Sequence, residues 1–186
     1  MVKIVDHKVE GEILTMERLL DAPKEIVFGA FTDADQIAQW WGPTPEWTVP
    51  VSKMDLKVGG TWHYMMKGPD DGSEYANMEA WGLATYKEID PPNKLVLEDS
   101  FSDAQGNKLN DFPISTAIFE FIDQDGKTLV KSTSVYASSE DLQKVVQMGM
   151  IEGFSGSYEN LDVLLEKLQQ KKKKKNVRRF ISRENF

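Results

Sequence analysis

Hydrophobic and polar residues alternate with a period of two across the middle of this chain, from residue 46 to residue 136. Such alternation is typical of half-buried β-strands, because successive side chains point to opposite faces of a sheet. Glycine, proline, asparagine and aspartate separate the runs, as they do in hairpin turns. We therefore predict an antiparallel sheet with strands at 12–20, 46–51, 53–58, 60–67, 75–89, 94–101, 112–122 and 127–136.

Two short helices are predicted between the first strand and the rest of the sheet. Asp21 is a candidate cap for the first helix, since Pro23 fits an initial helical turn and a short apolar face follows. The second helix is predicted to begin at Thr32 or Asp33 and to end before Gly42.

A long helix is predicted after the sheet. Ser138 and Asp141 stand at capping-box spacing, and apolar residues follow at helical spacing over one arc of the helix. They predict one continuous helix over 140–170, which at ~1.5 Å per residue is long enough to cross the sheet.

Three glycines form a stripe on this predicted helix, at Gly149, Gly153 and Gly156. Each costs roughly 1 kcal/mol relative to alanine in a helix interior, so the stripe needs a reason. One interpretation is close packing of another segment against the helix backbone, or a kink. The other is space left between helix and sheet, which predicts a cavity.

Charge divides the chain into two parts. Residues 1–170 have 14 basic and 29 acidic groups, whereas 171–186 has a balance of +7. We predict a single domain over 1–170 and a basic, disordered tail over 171–186. The acidic body excludes a phosphate backbone as its partner, so no nucleic acid is expected to bind it. The lysines of the tail are expected to be solvated, with anionic lipid or RNA as alternatives.

Cysteine is absent, which excludes disulfides and thiol catalysis. The start of the chain contains charges every few residues, and no apolar run is long enough to span a membrane. A cytoplasmic location is therefore expected.

Several short motifs occur in a characteristic order. They are Asp21-Ala-Pro23, Val27-Phe28, Ala30-Phe31-Thr32-Asp33, Trp40-Trp41-Gly42-Pro43, Asp55-Leu-Lys-Val-Gly-Gly60, Gly126-x-Thr128 and Gly149-Met150-x-Glu152-Gly153. Over about residues 9–168 this set resembles the SRPBCC (START-like, polyketide-cyclase-like) superfamily, in the branch similar to the C-terminal domain of the activator of the heat-shock-protein-ninety ATPase. The resemblance implies an α+β helix-grip fold, in which a curved antiparallel sheet wraps around a long C-terminal helix. It also implies a hydrophobic ligand held between helix and sheet.

Large apolar side chains are the candidate walls of that cavity, since small-molecule sites are mostly apolar with a few polar groups. The predicted ligand-binding residues are Trp62, Tyr64, Met66, Trp81, Phe101, Phe112, Met150 and Phe154. Trp40 and Trp41 are instead predicted to pack the short helices against the sheet. No cofactor is predicted.

Catalytic and metal-binding patterns are weak. His63 has the opposite parity to Trp62 on its strand and should point outward. Gly59-Gly60 and the stretch from Asp123 to Gly126 are explained by turns, so neither a phosphate loop nor a metal site is predicted. A buried carboxylate among the strand residues would indicate function, and the candidates are Glu79, Glu98, Asp99 and Glu120.

The leading functional hypothesis is a non-enzymatic protein that binds a small hydrophobic molecule. A co-chaperone-like protein that binds a chaperone through its acidic surface is the first alternative. An enzyme, such as a cyclase or hydrolase acting on the bound ligand, is the second, and it requires polar groups inside the cavity.

Overall fold

The computed structural model describes the backbone of residues 3–184 and the side chains of residues 3–176. Its strands are β1 (Asp6–Glu10), β2 (Ile13–Leu20), β3 (Thr48–Met54), β4 (Thr61–Lys67), β5 (Glu79–Asp90), β6 (Lys94–Phe101), β7 (Ser115–Gln124) and β8 (Lys127–Val135). Its helices are α1 (Lys24–Thr32), α2 (Ala34–Ile37), α3 (Ser139–Gln147) and α4 (Met150–Glu184).

The strands form one antiparallel sheet in the order β1-β2-β8-β7-β6-β5-β4-β3. The sheet is curved, and α4 lies across its concave face, with the short helices α1 and α2 between β2 and β3 in the chain. This confirms the α+β helix-grip fold predicted from the sequence.

Two details of the strand prediction are wrong. A single strand, β3, replaces the two strands predicted at 46–51 and 53–58, and its pairing with β4 shifts register between Thr48 and Val51. The strand β1 was not predicted because all five of its residues are exposed, so it shows no hydrophobic alternation.

Two of the three predicted helix caps are confirmed. The Asp33 carboxylate accepts hydrogen bonds from the backbone N–H groups of Asp35 and Gln36 at 3.0 and 2.9 Å. The Ser138 hydroxyl accepts one from the Asp141 N–H at 3.1 Å. Asp21 is not a cap, because α1 begins directly after Pro23 and has no side-chain cap.

The prediction of one continuous helix over 140–170 is wrong, because the helix is interrupted between α3 and α4. Gly149 has φ +87°, a left-handed conformation that glycine adopts without steric cost and that ends the α3 hydrogen-bond pattern. The helix α4 then continues to Glu184, past the domain boundary predicted at residue 170. The disordered tail predicted over 171–186 therefore has a helical backbone as far as it is described, and the division into body and tail stays a prediction.

The core lies between α4, α1 and the concave face of the sheet. Tyr158 and Leu161 of α4 are fully buried there, together with Leu14 of β2 and Val130 of β8. Trp40 packs as predicted, and its indole N–H donates to the Ala30 carbonyl at 2.9 Å. No helix within residues 3–184 combines the length and the apolar character needed to cross a membrane.

Candidate ligand-binding cavity

A cavity of about 700 Å³ lies between the concave face of the sheet and the helices α3 and α4. Its floor comes from the inward-facing residues of β4 to β8, which alternate with outward-facing neighbours along each strand. Tyr75, Met78, Met148 and Glu152 line the cavity and are themselves exposed, so they mark its mouth.

Aromatic rings form one wall of the cavity. Trp41 makes edge-to-face contacts with Trp62, Tyr64 and Phe154, with ring centroids 5.2, 5.9 and 5.4 Å apart. Trp62 in turn stacks on Tyr64 at 4.0 Å. The indole N–H of Trp62 donates to the Ser52 hydroxyl at 3.0 Å, so this ring needs no hydrogen bond from a ligand.

The loop that follows Trp41 packs against the part of the glycine stripe that lies in α4. A Cβ atom at Gly156 would lie 1.8 Å from the Pro43 carbonyl oxygen, and one at Gly153 would lie 3.7 Å from the Pro43 Cβ. Gly42 is tied to α4 as well, because its carbonyl accepts hydrogen bonds from the Ser157 hydroxyl and the Asn160 amide, both at 3.0 Å. Close packing therefore explains Gly156, and a helix break explains Gly149.

The sequence suggested that the glycine stripe leaves space between the helix and the sheet. The cavity in the structure arises mainly from other residues. Gly149 and Gly153 border the cavity, but Gly156 is filled by the loop and does not. Small residues on the sheet contribute instead, since Ala84, Ser115, Ala117 and Ser134 face the cavity from three strands.

Six of the eight predicted ligand-binding residues line the cavity together: Trp62, Tyr64, Met66, Phe101, Met150 and Phe154. Their role in binding stays a prediction. Two others do not line it. Trp81 pairs with Met65 on the outer face and stacks on His63 at 5.1 Å. It borders a small neighbouring pocket of about 50 Å³. Phe112 lies before β7 and contacts Phe101 from outside, at 4.9 Å between centroids.

Trp41 was predicted only to pack the short helices, yet it is part of the cavity wall. The prediction that the second helix continues to Gly42 is wrong, because α2 ends at Ile37 and Trp41 follows the turn after it. Helical spacing therefore did not indicate the direction of this side chain. His63 lies on the outer face as its parity predicted, with Nε2 3.1 Å from the Asp103 carbonyl oxygen.

Asp99 is the carboxylate that faces the cavity from the middle of the sheet. In register it lies beside Ala84 of β5 and Ser115 of β7, whose side chains also face inward. Burial raises the pKa of Asp99 from 3.8 to about 7, and no partner in the described chain offsets this effect. The side chain is only half-buried by accessible surface because the cavity adjoins it.

The pKa of Glu98, the residue before Asp99, is lowered rather than raised. Glu98 lies on the outer face of β6, where it forms an ion pair with Lys108. A hydrogen bond from Lys108 is the largest cause that lowers the pKa of Glu98. Parity along β6 could have identified Asp99 as the inward carboxylate, since it lies two residues from the predicted wall residue Phe101.

Two phenols lie close to Asp99. Burial and then the Asp99 charge raise the pKa of Tyr136 to about 12, against a smaller opposing effect of the Ser115 hydroxyl. The same two causes raise the pKa of Tyr64. The Tyr136 hydroxyl donates to the Met150 sulfur at 3.4 Å, which links the end of the sheet to α4. The wall therefore includes polar groups, which an enzyme acting on a bound ligand would need.

The part of the chain that the structure describes contains no cluster of side chains suited to a metal ion. There, no group of three or more histidine, aspartate or glutamate side chains is placed to hold an ion.

Comparison with known proteins identifies the family. A family model described as "Activator of Hsp90 ATPase homolog 1-like protein" matches residues 21–166. The chain belongs to this family. Membership confirms the predicted resemblance to the SRPBCC superfamily, and the matched range includes both the loop at Trp41 and the cavity face of the sheet.

Solved structures of similar proteins have the same fold. Protein Ms6760 from Mycobacterium smegmatis is 32% identical, with 88% of this chain and 97% of that chain covered and a TM-score of 0.77. A protein from Arthrobacter aurescens is 28% identical, with coverages of 90% and 93% and a TM-score of 0.77. CalU16 from Micromonospora echinospora, 16% identical with coverages of 90% and 87% and a TM-score of 0.55, shares the fold alone. No curated protein matches the chain in sequence.

Proposed function

We propose that this protein binds a small hydrophobic molecule in the cavity between the sheet and α4. The observation that supports the proposal most strongly is the cavity itself, which has a volume of about 700 Å³ and one wall of aromatic rings. Small-molecule sites commonly have volumes of about 300–1,000 Å³ and apolar walls with a few polar groups. Burial of apolar ligand surface would supply the affinity, at about 25 cal/mol per Å².

Native mass spectrometry of gently purified protein tests this proposal. We expect either a co-purified small molecule or, for empty protein, binding of the neutral dye Nile red that apolar compounds displace. Protein that contains no guest and binds no dye would contradict the proposal.

Narrowing the cavity is expected to weaken binding without unfolding the protein. Ala117→Phe places a ring among Leu97, Phe119 and Ser134 on the cavity floor. We expect the affinity for Nile red to fall at least about tenfold. Stability should be unchanged or higher by up to about 2 kcal/mol, because the ring occupies space that is already there. Fluorescence titration and denaturant unfolding measure the two effects.

The matched control is Thr116→Phe, which adds a ring one residue away on the exposed outer face. Its affinity for Nile red should equal that of the unsubstituted protein. Equal loss of binding in both variants would show that the dye does not occupy the cavity.

A co-chaperone-like role is the second candidate, supported by the family description and by the acidic body. A basic surface on the chaperone would attract residues 1–170, and the attraction would weaken with salt. We expect immobilised protein to retain purified Hsp90 at low salt and to release it at high salt. Ala117→Phe should not change this retention, because it alters only the interior. Failure to retain Hsp90 at low salt would eliminate this candidate.

A further inference from the structure

One carboxylate faces the cavity from the sheet, and no positive charge among the described lining residues balances it. Asp99 faces the interior from β6, the fifth strand in the sheet order, with three strands on one side and four on the other. Within the described part of the chain, the wall contains no lysine, arginine or histidine. Among the described residues, the other ionisable groups that line the cavity are Tyr64 of β4, Tyr86 of β5, Tyr136 after β8, and Tyr75 and Glu152 at the mouth. None of these can neutralise a carboxylate.

We propose that the cavity selects a lipophilic amine, with its ammonium group against the Asp99 carboxylate and its apolar body among the aromatic rings. This inference rests on the proposed function of the cavity and names the chemical class of its ligand.

Three features of the site favour an ammonium over a neutral polar group. An unpaired carboxylate in an apolar enclosure is unfavourable, and a cation that binds beside it restores the interaction lost from water. Phe101 lines the cavity from the strand of Asp99 itself, and Tyr64 lines it from β4, across Gly82 of β5. Aromatic faces such as these attract cations. The Ser115 hydroxyl, in register with Asp99, offers an acceptor for a second N–H.

Protonation links the selectivity to pH. Burial raises the pKa of Asp99 to about 7, so the carboxyl is neutral in the empty cavity at pH 5 and largely charged at pH 8. An alkylamine with a pKa near that of lysine, about 10.4, stays protonated at both values. Binding at pH 5 must therefore release the Asp99 proton, and the affinity for the amine should fall about a hundredfold from pH 8 to pH 5.

The test uses three probes with the same apolar chain: decylamine, decan-1-ol and decanoate. Each is titrated at pH 8 and pH 5 into the full chain, with quenching of the cavity tryptophans Trp41 and Trp62 and calorimetry as readouts. At pH 8 we expect decylamine to bind at least about tenfold more tightly than decan-1-ol, and decanoate to bind most weakly. Decan-1-ol should be insensitive to pH.

Two isosteric variants assign the selectivity to its residue. Asp99→Asn should remove the preference for the amine and its pH dependence while leaving the affinity for decan-1-ol within about threefold. Glu98→Gln removes the same charge one residue away on the outer face. It should change neither the preference for the amine nor the pH dependence of that preference. Ala117→Phe should weaken the binding of all three probes at least about tenfold, whereas a molecule adsorbed to the acidic surface would not respond to a change in the cavity.

The outcomes separate this inference from the proposed function. Equal affinities for amine and alcohol, or an amine preference that survives in Asp99→Asn, overturn the inference and leave a general apolar cavity. Tightest binding of decanoate overturns it as well. Failure of all three probes to bind overturns the proposed function, and the amine selectivity with it.

Discussion

Gly156→Ala is expected to destabilise the protein by about 2–3 kcal/mol, although alanine is the better helix former. Its Cβ would lie 1.8 Å from the Pro43 carbonyl oxygen, which belongs to the backbone and cannot rotate away. The loop must therefore move, and Gly42 then loses its hydrogen bonds with Ser157 and Asn160. Denaturant unfolding measures the free energy, and near-ultraviolet circular dichroism reports the displacement of Trp41.

Gly153→Ala is the matched control on the same helix. Its Cβ would make an ordinary contact of 3.7 Å with the Pro43 side chain. Helix propensity then dominates, so we expect this variant to be more stable by up to about 1 kcal/mol. Equal effects of the two substitutions would contradict the close packing of the loop against Gly156.

Asp99→Asn is expected to stabilise the protein above pH 7 and to have little effect near pH 4. The folded state raises the pKa of Asp99 to about 7 from 3.8 because it buries the carboxyl. Between these values the folded state holds a proton that the unfolded chain has lost, so the free energy of unfolding falls as pH rises through this window. Asparagine does not titrate and avoids this loss, which amounts to at most about 4 kcal/mol at pH 8.

The measurement is the difference in unfolding free energy between the Asp99→Asn variant and the unsubstituted protein, from pH 4 to pH 8. Taking the difference cancels the titration of every other group that the substitution leaves unchanged. Glu98→Gln provides a control of opposite sign, because Lys108 lowers the pKa of Glu98 and this ion pair stabilises the fold only at higher pH. A difference for Asp99→Asn that is constant across the range would mean that Asp99 is well hydrated.

The sheet was predictable from the sequence because its residues alternate and its turns contain the residue types that turns need. Ring positions on β4 followed directly from parity, since Trp62, Tyr64 and Met66 share the inward face. Trp81 was misplaced because its face depends on its register with Met65 across two strands, and the residues of β5 alone do not specify that register.

Features that depend on backbone conformation or on distant contacts were not predictable. A helical pattern continues through Gly149, and only its φ of +87° reveals the break between α3 and α4. The purpose of Gly156 depends on Pro43, which is over a hundred residues away in the chain. Asp99 was one of four candidate carboxylates, and its enclosure by a cavity required the fold as a whole.

A crystal structure of the protein crystallised with 10-bromodecan-1-ol tests the existence of the binding cavity most directly. This probe is neutral, so its binding does not depend on Asp99, and the anomalous signal of bromine locates it without ambiguity. If the cavity is open, we expect a bromine peak inside it, beside the wall formed by Trp41, Tyr64 and Phe154. An interior filled by those rings, with bromine absent or bound only on the outer surface, would contradict it.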